Sequence, residues 1–210
     1  MNILFQGDSI TDCGRCHETT AANTSLGAGY AALSAGRLLA SHPDKNFQFF
    51  NRGISGNRIV DLYARWKIDG INLKPDVISI LIGVNDTWHE FGSKNGVEPA
   101  RFEKIYRMLL DLTRQHLPDV RLIICEPFVL PCGVVNHDWV SEMNERRGIT
   151  EKLAYDYNAA YINFQELFNK AAQKGSLDFW LRDGVHPTLA GHTIMSDEWV
   201  KTFYPLMNVH

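Results

Sequence analysis

Two segments at opposite ends of the sequence carry side chains that suit nucleophilic catalysis. Ser9 lies near the start, and Asp183 and His186 lie three positions apart near the end. A serine hydroxyl becomes an effective nucleophile when an imidazole takes its proton, and a carboxylate can hold that imidazole in the required tautomer. Taken singly, Ser9 is also typical of a turn or a helix N-cap, and the other pair of a loop hydrogen bond. Together the three residues predict a catalytic triad for acyl transfer.

Gly53 and Asn85 are candidates for the hydrogen-bond donors that the same chemistry needs. The tetrahedral intermediate of acyl transfer carries an oxyanion, which preorganised N–H groups stabilise. We expect the backbone N–H groups of Ser9 and Gly53 and the side-chain amide of Asn85 to face it. Glycine suits this role because it lets backbone approach a substrate closely. Each of the two residues alone is also a common turn residue.

The elements that must position these residues follow from the pattern of apolar residues. Short apolar runs rich in β-branched and aromatic residues alternate with segments of helical period, which is typical of a parallel sheet covered on both faces. We therefore predict an α/β fold, a three-layer αβα sandwich on a five-stranded parallel sheet. In such sheets ligands bind beyond the carboxyl ends of the strands, where the candidate residues lie. The predicted strands are 3–6, 47–51, 77–82, 120–125 and 161–164, and the predicted helices are 29–40, 59–69, 102–116, 141–158 and a last one with Pro187 in its first turn that runs through Phe203.

Length, charge and hydropathy restrict the classes of partner. A chain of 210 residues suits one domain, 1–210. The net charge of −3 makes nucleic acid an unexpected partner. The apolar run at 3–5 is too short for a signal peptide, and no stretch approaches the ~18 apolar residues of a membrane span. We expect a cytoplasmic protein with no membrane partner.

The cysteines and the glycines give no sign of a metal or a cofactor. Cys13 and Cys16 have C-x-x-C spacing, but Cys125 and Cys132 are seven apart and do not form a second ligand pair. The phosphate-binding patterns G-x-G-x-x-G and G-x-x-x-x-G-K-[ST] are absent, as is the G-x-S-x-G of α/β-hydrolases. We therefore expect neither a metal nor a cofactor. The stretch 128–139 is expected to be a mobile loop.

Four segments carry the candidate residues: those around Ser9, Gly53 and Asn85, and the one with Asp183 and His186. In this order they resemble the segments of the SGNH or GDSL-type hydrolases. That family is named for the Ser, Gly, Asn and His that match Ser9, Gly53, Asn85 and His186, and Gly7-Asp8-Ser9-Ile10 matches its GDSL block with Ile in place of Leu. The resemblance covers residues 7–192. It implies a flavodoxin-like SGNH hydrolase fold and a serine esterase that works through an acyl-enzyme on Ser9.

Further stretches resemble the acetyl-xylan-esterase type within that family. This resemblance implies removal of small O-acyl groups, chiefly acetyl, from carbohydrates such as xylo-oligosaccharides, and a homo-oligomer. The candidates for contacts with an acylated small-molecule or oligosaccharide substrate are Asp8, Trp88, Tyr30 and Trp180. A scaffold role is favoured for Asp8, and packing against a neighbouring loop or subunit is an equal alternative for Trp88. The matching stretches are Gly7-Asp8-Ser9-Ile10-Thr11-Asp12-Cys13-Gly14-Arg15, Ala64-Arg65-Trp66, 83–88, 126–131 and 186–192.

Two alternatives stay open on the sequence alone. A lipid- or thioester-directed acylhydrolase of the same family would use the same residues, and a long apolar channel would favour it. A non-catalytic module that binds sugar or a partner would keep the crevice but would need no ordered triad. The presence of all four segments speaks against this second alternative.

Overall fold

The computed structural model describes residues 1–207 and shows one sheet of five parallel strands. The strands lie in the order β2-β1-β3-β4-β5, and all four pairings are parallel. The chain winds outward in both directions from β1 and β3, which leaves a crevice at their carboxyl ends. This order confirms the predicted flavodoxin-like sheet. The strands are β1 (Asn2–Gly7), β2 (Gln48–Asn51), β3 (Val77–Leu81), β4 (Arg121–Cys125) and β5 (Ala160–Ile162).

Nine α-helices connect or follow the strands within residues 1–207. Two of them begin at clear local signals. The fifth has a proline in its first turn, where a missing N–H breaks no hydrogen bond, and Asn136 caps the sixth by accepting from the N–H groups of Asp138 and Trp139. The helices are α1 (Ser9–Asp12), α2 (Tyr30–Ser41), α3 (Ile59–Asp69), α4 (Val84–Ser93), α5 (Pro99–His116), α6 (His137–Asp156), α7 (Phe164–Ala171), α8 (Leu177–Trp180) and α9 (Leu189–Met207).

The core lies in two layers, one on each face of the sheet. Successive residues of a strand point to opposite faces, so Ile3 and Phe5 of β1 belong to one layer and Leu4 to the other. Helices α2 and α9 pack together over the first layer, and α3 and α5 over the second. Every residue of β3 is buried because both faces are covered. These layers confirm the predicted αβα sandwich.

Several boundaries differ from the predictions: β5 ends at Ile162 instead of residue 164, α5 begins at Pro99 instead of residue 102, and further differences concern other helices. Helix α9 begins at Leu189, so the prediction that Pro187 lies in its first turn is wrong; Pro187 instead forms an isolated bridge with Leu181. The short helices α1 and α8 and the helices α4 and α7 have no counterpart among the predicted helices. The start of α4 is rich in turn-forming residues, and Phe164, the first residue of α7, belongs to the predicted strand 161–164. Helix α6 begins four residues before its predicted start at Ser141.

The stretch 128–139 is irregular up to residue 136, as a loop is, but much of it packs against the core. Phe128, Leu130 and Val135 are buried in the core, and the last residues of the stretch already belong to α6. The backbone N–H of Leu130 donates to the carbonyl of Gly184 at 2.9 Å. The N–H of Val134 donates to the carbonyl of Asp183 at 3.0 Å. The stretch therefore supports the loop that carries Asp183 and His186.

Residues 1–207 hold neither a membrane-spanning helix nor a metal-binding group. None of the helices there is both long and apolar enough to cross a bilayer. No three His, Cys, Asp or Glu side chains in that part of the chain gather as a metal-binding group.

Candidate active site

Ser9, His186 and Asp183 form a continuous chain of hydrogen bonds at the carboxyl end of the sheet. Ser9 is the first residue of α1, directly after β1, and its Oγ lies 2.9 Å from Nε2 of His186. Nδ1 of His186 lies 2.7 Å from Oδ2 of Asp183. An N–H on Nδ1 donates to the carboxylate, which leaves Nε2 of the neutral ring free to accept the serine proton. The arrangement is that of a nucleophile, its base and the group that orients the base.

The loop from Asp183 to His186 is shaped by its own carboxylate. Oδ1 of Asp183 accepts the backbone N–H groups of Val185 at 3.0 Å and His186 at 2.8 Å. Burial raises the pKa of the Asp183 carboxyl, but the hydrogen bonds from His186 and Val185 outweigh it and lower the pKa below its usual value. Asp183 is therefore ionised at neutral pH and can stabilise a protonated His186.

A cavity of about 470 Å³ opens beside the Ser9 hydroxyl. Ser9, His186, Gly56, Asn85 and Trp88 of α4 are among the residues that line it. The volume falls within the range of about 300–1,000 Å³ that is usual for small-molecule sites. A group of monosaccharide size can therefore reach the serine.

Gly53 does not lie where the sequence led us to expect it. Its backbone N–H donates to Oδ1 of Asn51 at 2.9 Å, and its carbonyl accepts Nε of Arg15 at 2.7 Å. Gly53 is buried and is not part of the cavity wall. Its N–H already has a partner, so the expected role of Gly53 as an oxyanion donor is not supported by its position.

Gly56, three residues later, has the surroundings that were expected of Gly53. It lines the cavity, and its N–H has no hydrogen-bond partner within residues 1–207. Its φ of +83° is readily adopted only by glycine. The segment from Asn51 to Asn57 contains both glycines, and the sequence alone gave no reason to choose the second one.

Asn85 lies in the first turn of α4 and presents its amide to the cavity. Its Nδ2 donates one N–H to the carbonyl of Asn57 at 3.2 Å. A carboxamide nitrogen carries two N–H groups, so the second is available to a ligand. The positive end of the α4 dipole favours negative charge at the same place. Asn85, Gly56 and the N–H of Ser9 can together act as an oxyanion hole.

Of the four candidates for substrate contacts, Trp88 alone lies in the cavity wall. Its ring centroid is 5.6 Å from that of His186, and Trp139 packs edge-on against it at 5.3 Å. Trp180 is not part of the wall and packs edge-on against Phe179.

Tyr30 and Asp8 are buried behind the site. Tyr30 belongs to the core, and its hydroxyl lies 3.1 Å from Oγ1 of Thr11, so its expected contact with substrate is not supported. Asp8 caps α1 by accepting the N–H of Ile10 at 3.0 Å, which shapes the turn that holds Ser9. Burial raises the pKa of the Asp8 carboxyl to about 7. Asp8 therefore acts as a scaffold residue in this structure.

Comparison with known proteins identifies a family of acylhydrolases and an esterase as relatives of this chain. The model of the GDSL-like lipase/acylhydrolase family matches residues 5–194. An acetylxylan esterase from Geobacillus stearothermophilus is 33% identical over 213 residues, which cover 95% of this chain and 96% of that protein.

Solved structures agree with this assignment. A GDSL-like lipase from Parabacteroides merdae superposes with a TM-score of 0.92 at 39% identity, covering 96% of this chain and 94% of that one. The acetylxylan esterase Axe2 from G. stearothermophilus superposes with a TM-score of 0.87 at 32% identity, covering 96% and 93%. Catalytic mutants of Axe2 replace a serine, an aspartate or a histidine by alanine, and its aspartate and histidine are three positions apart. The chain therefore belongs to the GDSL-like lipase/acylhydrolase family and is a carboxylic ester hydrolase of the SGNH type.

Proposed function

We propose that this esterase removes small O-acyl groups, chiefly acetyl, from carbohydrates such as xylo-oligosaccharides, through an acyl-enzyme on Ser9. The observation that carries the proposal is the hydrogen-bonded chain from Ser9 through His186 to Asp183, which ends at an open cavity. The spacing of Asp183 and His186 equals that of the aspartate and histidine replaced in the catalytic mutants of Axe2.

In the first half of the reaction, Oγ of Ser9 attacks the acyl carbon while Nε2 of His186 takes its proton. The carbonyl oxygen becomes negative and faces the N–H groups of Ser9, Gly56 and Asn85. His186 then passes the proton to the sugar oxygen as the carbon–oxygen bond breaks. The sugar leaves with a free hydroxyl, and the acyl group stays on Ser9.

In the second half, water replaces the sugar. His186 takes a proton from the water as its oxygen attacks the acyl carbon, and the oxyanion forms again in the same hole. The proton then returns to Oγ of Ser9 as the ester bond breaks, and the carboxylic acid leaves. Asp183 stays ionised throughout and offsets the charge of the imidazolium.

Two observations favour acetylated sugars over longer acyl esters. The relative that is 33% identical over nearly the whole chain is an acetylxylan esterase. The cavity beside Ser9 also carries Trp88 in its wall, and an indole face packs well against a sugar ring.

Hydrolysis of 4-nitrophenyl acetate, butyrate and octanoate, with acetylated xylo-oligosaccharides alongside, tests the proposal. We expect turnover of the acetate and of the sugar esters, and its loss by a factor of about 10⁶ in Ser9→Ala. Ser93→Ala is the matched control, because Ser93 lines the same cavity but bonds only the carbonyl of His89. Full activity of Ser9→Ala would rule out the nucleophile. A preference for octanoate would favour the lipid- or thioester-directed alternative.

A further inference from the structure

Arg65 of α3 is a largely buried cation behind the candidate site. Its side chain is 13% exposed, and all three of its guanidinium nitrogens donate hydrogen bonds. It belongs to the Ala64-Arg65-Trp66 stretch, which the mechanism above does not use. Removing a guanidinium from water is costly unless its donors are satisfied. The acceptors of its hydrogen bonds therefore indicate which parts of the structure this buried guanidinium holds together.

Three acceptors of Arg65 lie at the end of β1 and in the segment that follows β2. Nη2 donates to the carbonyl of Gly7 at 3.2 Å, two residues before Ser9. Nη1 donates to the carbonyl of Arg52 at 2.8 Å, and Nε donates to Oδ1 of Asn57 at 2.7 Å. One rigid group thus joins the segment that carries the nucleophile to the loop that carries Gly56.

The contact with Asn57 extends to both remaining donors of the oxyanion hole. Asn57 directly follows Gly56, so fixing its side chain also fixes the peptide next to the Gly56 N–H. The carbonyl of Asn57 accepts Nδ2 of Asn85 at 3.2 Å, which sets the direction of that amide. Arg65 does not line the cavity and does not bond to Ser9. Its acceptors are nevertheless linked to the hole donors: Gly7 lies two residues before Ser9, and Asn57 follows Gly56 and accepts from Asn85.

The other acceptors hold the guanidinium itself in place. Nη1 also donates to Oε1 of Gln6 at 3.0 Å and lies 3.2 Å from Oδ2 of Asp69. Nε2 of Gln6 in turn donates to the carbonyl of Asp69 at 2.6 Å. A planar guanidinium presents its N–H groups in a fixed fork, so these contacts set the angles at which it meets the catalytic segments.

We propose that Arg65 is a positioning residue for the oxyanion hole: it aligns the segment before Ser9 with the Gly56–Asn57 peptide and, through Asn57, with the Asn85 amide. This inference rests on the proposed function. The hole is complementary to the transition state, so the loss of Arg65 lowers kcat and leaves KM nearly unchanged.

Kinetics of Arg65→Met, Arg65→Lys and Arg114→Met on 4-nitrophenyl acetate, each below its own Tm, test the proposal. Arg114→Met is the matched control, because Arg114 donates to the carbonyls of Val120 and Tyr157 at the other end of the sheet. We expect kcat of Arg65→Met to fall by about 10²-fold, the size of the loss of one hole donor, while the control keeps its kcat. Arg65→Lys keeps the charge but not the fork, so we expect it to stay folded with a kcat between the two.

A wild-type kcat in Arg65→Lys, or equal losses in Arg65→Met and Arg114→Met, would overturn the proposal. A double-mutant cycle separates positioning from general damage. Arg65→Met should add little to the loss already caused by Asn85→Ala, because both act on the same group. Independent, multiplying losses would show that Arg65 does not act through the hole. Activity retained in Ser9→Ala would instead overturn the proposed function, whatever the Arg65 variants do.

Discussion

Gly53 and Gly56 lie three positions apart in one loop, and a side chain would meet different surroundings at the two positions. A Cβ atom on Gly53 would lie 2.4 Å from the backbone nitrogen of Asp12, a distance so short that the two atoms would clash. A Cβ atom on Gly56 would have no neighbour within 4 Å, and there only the positive φ opposes it. Packing therefore requires glycine at position 53, whereas backbone conformation requires it at position 56.

Alanine at each position should separate these two requirements. We expect Gly53→Ala to lower Tm strongly, because the backbone of α1 cannot give way without moving Ser9. We expect Gly56→Ala to fold with a loss of about 1–3 kcal/mol from backbone strain, and to lose kcat because its N–H shifts. Thermal unfolding and kinetics on 4-nitrophenyl acetate measure the two effects. A fully active Gly56→Ala beside a folded but inactive Gly53→Ala would return the donor role to Gly53.

Side-chain chemistry was easier to predict from the sequence than backbone geometry. Ser9, Asp183 and His186 were selected because their residue types suit only a few reactions, and the structure joins them by two hydrogen bonds. The choice between Gly53 and Gly56 depends on φ and on the partner of one N–H group, and neither is encoded in spacing. Tyr30 is a candidate for a substrate contact on the sequence, whereas its burial depends on how α2 packs.

At the scale of elements, strands were predicted better than helices. The strand β3 is apolar except for Ser79, and burial on both faces favours such a nearly continuous apolar run. Helix α4 was missed because Gly83, Asn85 and Asp86 favour turns when read locally. Tertiary contacts with α6 support this helix, and they involve residues far away in sequence.

Arg146 provides much of that support, and its removal should be costly. Its buried guanidinium donates to Oγ1 of Thr87 at 2.9 Å and to the carbonyl of Val97 at 2.6 Å, and it pairs with Glu142. We expect Arg146→Met to lower the free energy of unfolding by about 3–5 kcal/mol, because it leaves buried partners unsatisfied. Urea denaturation at neutral pH measures this loss.

The matched control for Arg146 is a partly exposed arginine that also contacts α6. Arg107 of α5 pairs with Glu103 and with Asp156 of α6, and its side chain is 30% exposed. Ion pairs open to water contribute little, so Arg107→Met should cost less than about 1 kcal/mol. Equal losses in the two variants would mean that Arg146 does not hold α4 to α6 in the way described.

For the whole molecule, the sheet order explains why one crevice collects residues from distant parts of the chain. Strands β1 and β3 are neighbours, so the segments that begin with Asp8 and Gly83 leave the sheet side by side. Each segment buries a carboxyl group that accepts a backbone N–H: Asp86 accepts that of Ile59, and Asp8 accepts that of Ile10.

That the protein forms a homo-oligomer stays a prediction.

The two buried carboxyls, Asp8 and Asp86, should give the protein an unusual dependence of stability on pH. Burial raises the pKa of Asp8 and of Asp86 to about 7, whereas an aspartate in the unfolded chain titrates near 3.9. Between about pH 4 and pH 7 the folded protein keeps protons that the unfolded chain has released. The free energy of unfolding should therefore fall as pH rises through this window, by up to about 1.4 kcal/mol per pH unit for each carboxyl.

Urea denaturation at pH 5, 6, 7 and 8 measures this slope. Asp8→Asn keeps an acceptor for Ile10 and has no proton to lose, so it should have a shallower slope than the wild type. The control is Asp156→Asn, because hydrogen bonds from Arg107 lower the pKa of Asp156 and its titration lies below the window. A wild-type slope in Asp8→Asn would show that Asp8 is already ionised at pH 5.

The hydrogen bond between Ser9 and His186 also has a consequence for how the protein is made. Its two residues are separated by 177 positions, and the base lies on the later one. A ribosome therefore exposes the nucleophile early and the base only when synthesis is almost complete. A nascent chain halted before Asp183 lacks both partners of the serine in the triad, so we expect ester cleavage to begin only after Asp183 and His186 have been synthesised and folded into place.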